Sequence, residues 1–431
     1  MKKLLAVILV ALSFTNAQAQ LTKEEKKLME YIDANMPRAI ELLKESVNVN
    51  SGTLNIEGVK KVGAIYRREL EKAGMQTEWI SMPDSLKRAG HLVASTPAKK
   101  PKGKKLFLIG HLDTVFEPDM PANPFTMIND STATGQGAND MKGGDVVMII
   151  ALQALQAQGL LKDAAITAYF TGDEEHAGYP REVSRGDFIE RAKKAEVALA
   201  FEGANGLRSV ATARRGASGW KLEVNAKTGH SSGVFTPYAG YGAIYEAARI
   251  VNSFREQLSQ EKYLTFNPGL FIGGSDMQYD DAKSFGSTIG KTNIIAPSTV
   301  VIGDLRFLTE EQKNKARAVM SNIVNNNNLT GARAKITFQD GIPSMAPTAG
   351  NDRILNIISG VTVDMGLGAT VAGDPGSRGA GDISYIAAYV DCIDGLGASG
   401  KGAHAVGETI NLNELPFLIK RAALTMHRLT K

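Results

Sequence analysis

The stretch LFLIGHLDT, residues 106–114, runs an apolar, β-rich segment directly into His111 and Asp113. Two later stretches repeat this arrangement: ITAYFTG leads into the acidic pair Glu174 and Glu175, and VALAF leads into Glu202. Helical patterns lie between these strands, which predicts an α/β fold whose sheet is at least partly parallel. Because the carboxyl ends of parallel strands open onto one crevice, we expect these side chains to lie close together.

Two loops complete the set, with Asp140 in GANDMKGG and His404 in GAHAVGE. Imidazole and carboxylate groups are common zinc ligands, and two histidines with three carboxylates can hold two ions if one carboxylate bridges them. Glu175 would then be a ligand, and its neighbour Glu174 would be free to move protons. The pattern predicts metal-assisted hydrolysis.

Each of these groups also has an ordinary structural interpretation. His111 could be a histidine at a strand end beside a turn aspartate, and Asp140 could be the N-cap of the helix that follows it. The adjacent acids at 174 and 175 could be solvated surface charge. For His111 and Asp113, spaced by two along a strand, we expect the Asp113 carboxylate to accept the imidazole N–H and orient the ring.

The chain has 431 residues, which is typical of two domains. Hydrophobic residues make up 43% and charged residues 22%, as expected for a globular protein with a large core. A formal net charge of +4 argues against both nucleic acid and a membrane surface as partner. Cys392 is the only cysteine, which excludes an internal disulfide.

Residues 1–19 have the pattern of a secretory signal peptide. Lys2 and Lys3 precede the apolar run LLAVILVAL, and Ala17-Gln18-Ala19 is a cleavage signal, so we expect the mature chain to begin at Gln20. The alternative is a membrane anchor, although the run is well short of the roughly 20 residues that span a bilayer. The pattern predicts export to a bacterial periplasm or the medium.

The middle of the chain differs from its two ends in the order of its predicted strands and helices. Residues 211–342 predict the element order β-α-β-β-α-β of a ferredoxin-like unit, and its second helix opens with a Thr-x-x-Gln capping box. We therefore expect a catalytic domain formed by residues 20–210 and 343–431, with residues 211–342 inserted as a second domain.

Taken together, the H-x-D, NDMKGG and DEE segments resemble the co-catalytic zinc peptidase and deacylase family, from about residue 30 to the C-terminus. Its members include glutamate carboxypeptidase, acetylornithine deacetylase, succinyl-diaminopimelate desuccinylase and aminoacylase, and the nearest branch is the exported bacterial glutamate carboxypeptidases. The resemblance implies a di-zinc exopeptidase-type catalytic domain with a central mixed sheet flanked by helices. It also implies that the inserted domain is a lid that forms a homodimer.

By position, the resemblance implies two Zn²⁺ per subunit, with Co²⁺ or Mn²⁺ as alternatives. One ion would be held by His111, Asp140 and Glu202, and the other by Asp140, Glu175 and His404. Asp113 would orient His111, and Glu174 would be the general base.

In the lid, His230 of KTGHSSG matches a histidine that polarises the scissile carbonyl from the partner subunit, and Asn293 matches a substrate-contacting position. Arg306 of GDLRF matches a clamp for a substrate carboxylate, with a strand-end salt bridge as the alternative. His91 and His427 are expected to be structural.

The predicted function is that of an exported zinc metallopeptidase or amidohydrolase. Its reaction would release the C-terminal amino acid of a peptide or of an N-acyl amino acid. Three alternatives stay open: an aminopeptidase or dipeptidase, an N-acyl amino acid deacylase of the same family, and a zinc-holding binding protein without activity.

Overall fold

The computed structural model describes residues 21–431, so the predicted signal peptide lies outside the described residues. Within this part the α-helices are α1 Lys23–Ala34, α2 Met36–Val47, α3 Ile56–Lys72, α4 Gly143–Ala157, α5 Arg181–Ala192, α6 Ala243–Leu258, α7 Glu310–Asn325, α8 Ala349–Asp364 and α9 Leu415–Leu429. The strands are β1 Gln76–Ile80, β2 His91–Ser95, β3 Lys102–His111, β4 Thr126–Asn129, β5 Thr132–Thr134, β6 Ala164–Thr171, β7 Val197–Ala200, β8 Ser209–Val210, β9 Gly216–Ala226, β10 Thr265–Gly274, β11 Asp276–Asp280, β12 Phe285–Ile289, β13 Ser298–Phe307, β14 Ala332–Asp340, β15 Val371–Ala372, β16 Asp391–Ile393, β17 Gly400–Lys401 and β18 Thr409–Asn411.

A six-stranded mixed sheet forms the centre of the fold, in the order β1-β2-β6-β3-β7-β16. Strands β6, β3, β7 and β16 run parallel, while β1 and β2 are antiparallel to their neighbours. The α/β fold with a central mixed sheet is therefore confirmed. Since β3 lies between β6 and β7, the segments that follow these three strands emerge side by side at one edge of the sheet.

Helices cover both faces of this sheet. Helix α4 is buried along most of its length because GGDVVMIIALQALQA carries almost no charge, and it packs among α1, α2, α3 and α9. On the other face, α5 places Phe188 against Phe107 and Tyr169, with ring centroids 5.2 and 5.1 Å away. The sheet is thus buried on both faces, as parallel sheets usually are.

The inserted unit, residues 216–340, contains a second, antiparallel sheet in the order β10-β13-β9-β14. Its helices α6 and α7 pack on one face over a separate core that includes Trp220 and Phe254. Along the chain the sheet and its helices follow the predicted order β-α-β-β-α-β. At the start of α7, Thr309 accepts a hydrogen bond from the Gln312 N–H at 3.1 Å, as the capping box predicts. The hairpin β11–β12 between β10 and β13 was not predicted.

One predicted helix is wrong. The stretch DISYIAAYV, residues 382–390, has a pattern that predicts a helix. Only a short 3₁₀ turn forms there, at Asp382–Tyr385, and the chain then enters β16 beside β7. The physical reason is tertiary, because the Asp382 side chain is bound by Thr171 and Arg185 in the core. Between residues 21 and 431, no helix combines the length and hydropathy that crossing a bilayer requires.

Candidate metal centre

The predicted ligands stand at the carboxyl edge of the central sheet. His111 is the last residue of β3, Glu175 follows β6, and Glu202 follows β7. Asp140 lies in the irregular turn before α4, and His404 lies in the loop between β17 and β18. These five side chains, from distant parts of the chain, form two groups whose ligand atoms lie within 4.8 Å of one another.

Asp140 belongs to both groups and offers a different oxygen to each. Its Oδ1 is 3.3 Å from His111 Nε2, which is also 3.8 Å from Glu202 Oε1. Its Oδ2 is 3.0 Å from His404 Nε2, which is also 3.2 Å from Glu175 Oε2. A carboxylate that points one oxygen into each of two His-carboxylate groups has the arrangement of a bridging ligand.

The chemistry of these groups fits divalent cations. Glu175 Oε1 is buried and has no hydrogen-bond partner among the described residues, although an acceptor of this kind is costly to leave unpaired. Hydrogen bonds to Asp140 and Glu175 raise the pKa of His404 to about 11, and burial together with the charge of Asp140 raises the pKa of Glu202 to about 8. The crowded acidic groups raise these pKa values because they favour bound protons. A metal ion at the same place would supply the positive charge instead.

His404 has a left-handed backbone conformation, with φ 65°. Non-glycine residues rarely adopt this conformation, and those that do cluster at functional sites. The flanking Gly402 and Gly407 also have positive φ values, 73° and 91°, which only glycine adopts without strain. This loop therefore turns sharply to bring a half-exposed imidazole over the two carboxylates.

Glu174 lies beside these groups without belonging to either of them. Its carboxylate makes no hydrogen bond or ion pair to the described residues, which distinguishes it from Glu175. Burial, followed by the charge of Glu202, raises the pKa of Glu174 well above its ordinary value. A carboxyl group that is free of structural partners and has a raised pKa suits proton transfer.

Asp113 differs from the expectation in what its carboxylate contacts. His111 Nδ1 faces the backbone oxygen of Asp113 at 3.0 Å, whereas the Asp113 Oδ1 is 3.6 Å away. The carboxylate instead accepts the backbone N–H groups of Glu174 and Glu175, at 3.0 and 3.1 Å, and the hydroxyl of Thr53 at 2.6 Å. Asp113 thus orients the imidazole through its main chain and positions the acidic pair through its side chain.

Glu408 is a site residue that the sequence analysis above does not predict. It is fully buried, and its Oε1 accepts the backbone N–H groups of Asn139 and Asp140 at 2.6 and 2.7 Å. Burial raises the pKa of Glu408 to about 7 despite these two bonds. The sequence offered one sign of this role, since Glu408 lies only four residues after His404. The same loop therefore supplies both a predicted ligand and the carboxylate that fixes the turn of Asp140.

The glycines after Asp140 allow α4 to approach the end of β7. A Cβ atom at Gly144 would stand 1.9 Å from the Phe201 carbonyl oxygen, and one at Gly397 would stand 2.0 Å from the same atom. No side chain fits at either distance. Because these backbones approach closely, Asp140 and Glu202 both reach His111.

A buried ion network lies beneath the acidic pair and was also missed. Arg185 donates to Asp173 at 2.6 Å and to Asp382 at 2.7 Å, and Thr171 donates to the second Asp382 oxygen at 2.6 Å. Asp173 and Arg185 are at most 1% exposed. Since Asp173 immediately precedes Glu174, this network fixes the turn that carries the candidate base.

Replacing Arg185 with methionine is expected to destabilise the fold by about 3–5 kcal/mol, because two buried carboxylates would lose their cation. The free energy of unfolding in urea measures this effect. Arg181→Met is the matched control on the same helix, since Arg181 makes no ion pair among the described residues. A loss of less than about 1 kcal/mol for Arg185→Met would show that the network does not support this turn.

Two of the predicted lid residues, His230 and Asn293, lie together in the inserted unit. His230 pairs with Ile294 in an isolated bridge, and the Ser231 N–H donates to the Asn293 carbonyl at 2.9 Å. The His230 Nδ1 lies 2.8 Å from the Ser232 hydroxyl and accepts the Ser232 backbone N–H at 3.2 Å. No hydrogen bond of the His230 ring within residues 21–431 reaches the metal groups.

Arg306 forms an ion pair with Asp304 at 3.0 Å, and its role as a clamp for a substrate carboxylate stays a prediction. His91 is buried between Ser184 and Gly172, as expected of a structural histidine. His427 is also buried.

A mixed α/β sheet with two carboxylate-sharing histidine groups at its carboxyl edge is typical of a metal-dependent hydrolase. The chain belongs to peptidase family M20/M25/M40, whose model matches residues 107–428.

Carboxypeptidase G2 from Pseudomonas sp. (strain RS-16) is 25% identical over 420 residues, which cover 96% of this chain and 94% of that protein. Among solved structures, aminopeptidase PepT from Bacillus cereus superposes with a TM-score of 0.73 at 20% identity, over 92% of this chain and 99% of that one. The YXEP protein from Bacillus subtilis, described as a dinuclear metal binding peptidase, has a TM-score of 0.64 at 14% identity, over 93% of this chain and 100% of that one. At these identities the structural similarities show the fold.

Proposed function

We propose that this chain is an exported di-zinc amidohydrolase that releases the C-terminal amino acid of a peptide or an N-acyl amino acid. The observation that carries the proposal is the sharing of Asp140 between two histidine-carboxylate groups, with the unpaired acid Glu174 beside them. Similarity to a carboxypeptidase over 96% of the chain supports the direction of cleavage.

His111 and Glu202 would complete the first metal site with Asp140, and Glu175 with His404 would complete the second. Nitrogen and oxygen donors of this kind suit zinc, and they also accept cobalt or manganese. Bound ions would acidify a water molecule and polarise the scissile carbonyl group. The dinuclear centre of the Bacillus subtilis relative supports the number of ions.

The protein side chains supply the remaining chemistry. Glu174 would accept a proton from the attacking water and donate it to the departing amine, so that one carboxyl group serves both halves of the reaction. Asp113 holds the backbone of Glu174 in place. His230 would donate a hydrogen bond to the carbonyl oxygen as negative charge develops there.

The inserted unit would act as a lid and as a dimerisation domain. Its surface carries an exposed cluster formed by Phe235 and Tyr245, with ring centroids 5.3 Å apart, and by neighbouring Tyr238 and Ile244. The adjacent β10 is an edge strand whose Phe271 is 44% exposed. Exposed aromatic surface beside an unpaired strand edge is typical of a protein interface.

If His230 acts from the partner subunit, two inactive variants should complement each other. Mixing Glu174→Ala with His230→Ala chains creates mixed dimers in which one site regains both residues, so random exchange should restore about a quarter of wild-type activity. Native mass spectrometry would verify subunit exchange in the same sample. Confirmed exchange without restored activity would place His230 in its own subunit's site or outside catalysis.

The proposed function is tested by release of free amino acid from N-acyl-glutamate, N-acyl-alanine, N-acyl-arginine and the unblocked dipeptide Gly-Glu. We expect the zinc-loaded enzyme to cleave at least one blocked substrate, and the Glu174→Ala variant to cleave none. Cleavage of Gly-Glu alone would replace the proposal with the dipeptidase alternative. Inactivity across the panel with two zinc ions bound would favour the binding-protein alternative.

A further inference from the structure

Arg378 lies at the catalytic edge of the sheet and has no role in the groups described above. Its Nη2 donates to the Gly203 carbonyl oxygen, and the residue before that glycine is Glu202. The same Nη2 is 2.9 Å from the position of a Cβ atom at Gly395. Gly203 and Gly395 follow the parallel neighbours β7 and β16, so the guanidinium spans the ends of two strands beside a predicted metal ligand.

Arg378 also differs from other arginines near this edge in its partners. Arg185 binds two buried carboxylates, and Arg214 is paired with Asp394. In residues 21–431, Arg378 has no carboxylate within ion-pair distance, and the Gly203 carbonyl is the only group to which its guanidinium donates. A guanidinium has five N–H donors, so most of its capacity for hydrogen bonding is unused although the side chain is only partly exposed.

The loop that carries Arg378 is anchored on both sides. Arg214 donates to the carbonyls of Gly379 and Ala380 at 2.6 and 2.9 Å, and Arg215 donates to the Gly376 carbonyl at 3.1 Å. A cation held on a fixed backbone loses little conformational freedom when it binds an anion. Its planar donor fork also matches the two oxygens of a carboxylate.

We propose that Arg378 is a specificity-determining residue that binds a carboxylate group of the substrate. This inference rests on the proposed function, because it takes the substrate to be an amide of an amino acid. The carboxylate has two possible sources, the free α-carboxylate or an acidic side chain of the released residue. Both present the same planar anion.

Binding without turnover tests the proposal directly. In metal-loaded Glu174→Ala protein, isothermal titration calorimetry would compare N-acetyl-L-glutamate, its side-chain amide and its α-amide, with and without Arg378→Gln. We expect Arg378→Gln to weaken binding of N-acetyl-L-glutamate by about 10- to 100-fold, the effect of losing a charge-assisted hydrogen bond. The amide for which this weakening disappears identifies the carboxylate that Arg378 binds.

Arg208→Gln is the matched control, because Arg208 is an exposed arginine outside the proposed site and its loss removes the same charge. It should change the dissociation constants by less than about twofold. Equal weakening for all three ligands would reduce Arg378 to a structural support of the Gly203 carbonyl and overturn the proposal.

Unchanged binding in Arg378→Gln, or no binding of any of the ligands by the parent protein, would also overturn the proposal. The hydrolysis panel tests the proposed function separately, since active wild-type enzyme with Arg378-independent binding would reject only this inference.

Discussion

Replacing Glu174 with alanine is expected to lower kcat by about 10²- to 10⁴-fold, the contribution typical of a general acid-base residue. The metal content should not change, because Glu174 belongs to neither ligand group. Turnover of the best substrate in the panel and metal analysis of the same sample measure the two quantities. Activity within about tenfold of wild type would exclude Glu174 as the base.

The chain provides a matched control in the next residue. Glu175→Ala removes the same charge from the same turn, but Glu175 Oε2 lies 3.2 Å from His404 Nε2 within a ligand group. We expect this variant to lose one of the two metal ions, whereas Glu174→Ala retains both. Equal metal contents in the two variants would contradict the proposed roles of Glu175 as a metal ligand and of Glu174 as a base that binds no metal.

Replacing Asp140 with asparagine is expected to weaken the binding of both ions and to reduce activity at least as much as loss of the base, about 10²- to 10⁴-fold. Asp140 is the only residue common to both groups, and the amide that replaces it carries no charge and one oxygen instead of two. Metal content after dialysis, measured by plasma mass spectrometry, checks this result.

Asp130→Asn is a suitable control for this substitution, since Asp130 is exposed in a turn and contacts none of the ligands. Its metal content and activity should match those of the wild type. Two ions retained in Asp140→Asn would contradict the bridging role.

Much of the catalytic edge could be predicted because its ligands follow apolar strands. The runs before His111, Glu175 and Glu202 are buried parallel strands that are adjacent in the sheet, so strand order alone brings the ligands together. The order of elements in the inserted unit was predictable for a similar reason, since strand and helix periodicities alternate clearly between residues 216 and 340.

The supporting contacts could not be predicted, because they depend on tertiary approach. Glu408 reaches the turn of Asp140 from 268 residues further along the chain, and Asp382 reaches Thr171 across 211 residues. From the sequence, the Asp113 carboxylate could accept the imidazole N–H of His111 or a backbone N–H nearby. Only the folded turn shows that it binds the N–H groups of Glu174 and Glu175. Residues 382–390 carry a helical pattern, but the burial of Asp382 beside Arg185 prevents a regular helix there.

Titration of the metal-free enzyme with zinc tests whether two ions held around Asp140 drive amide hydrolysis. Release of free amino acid from the best substrate in the panel would be measured at each ratio of zinc to chain. We expect activity to rise to a plateau at two equivalents, and Glu174→Ala to bind the same two equivalents without activity. A plateau at one equivalent, or two bound equivalents with no hydrolysis by the wild-type chain, would contradict a two-ion mechanism.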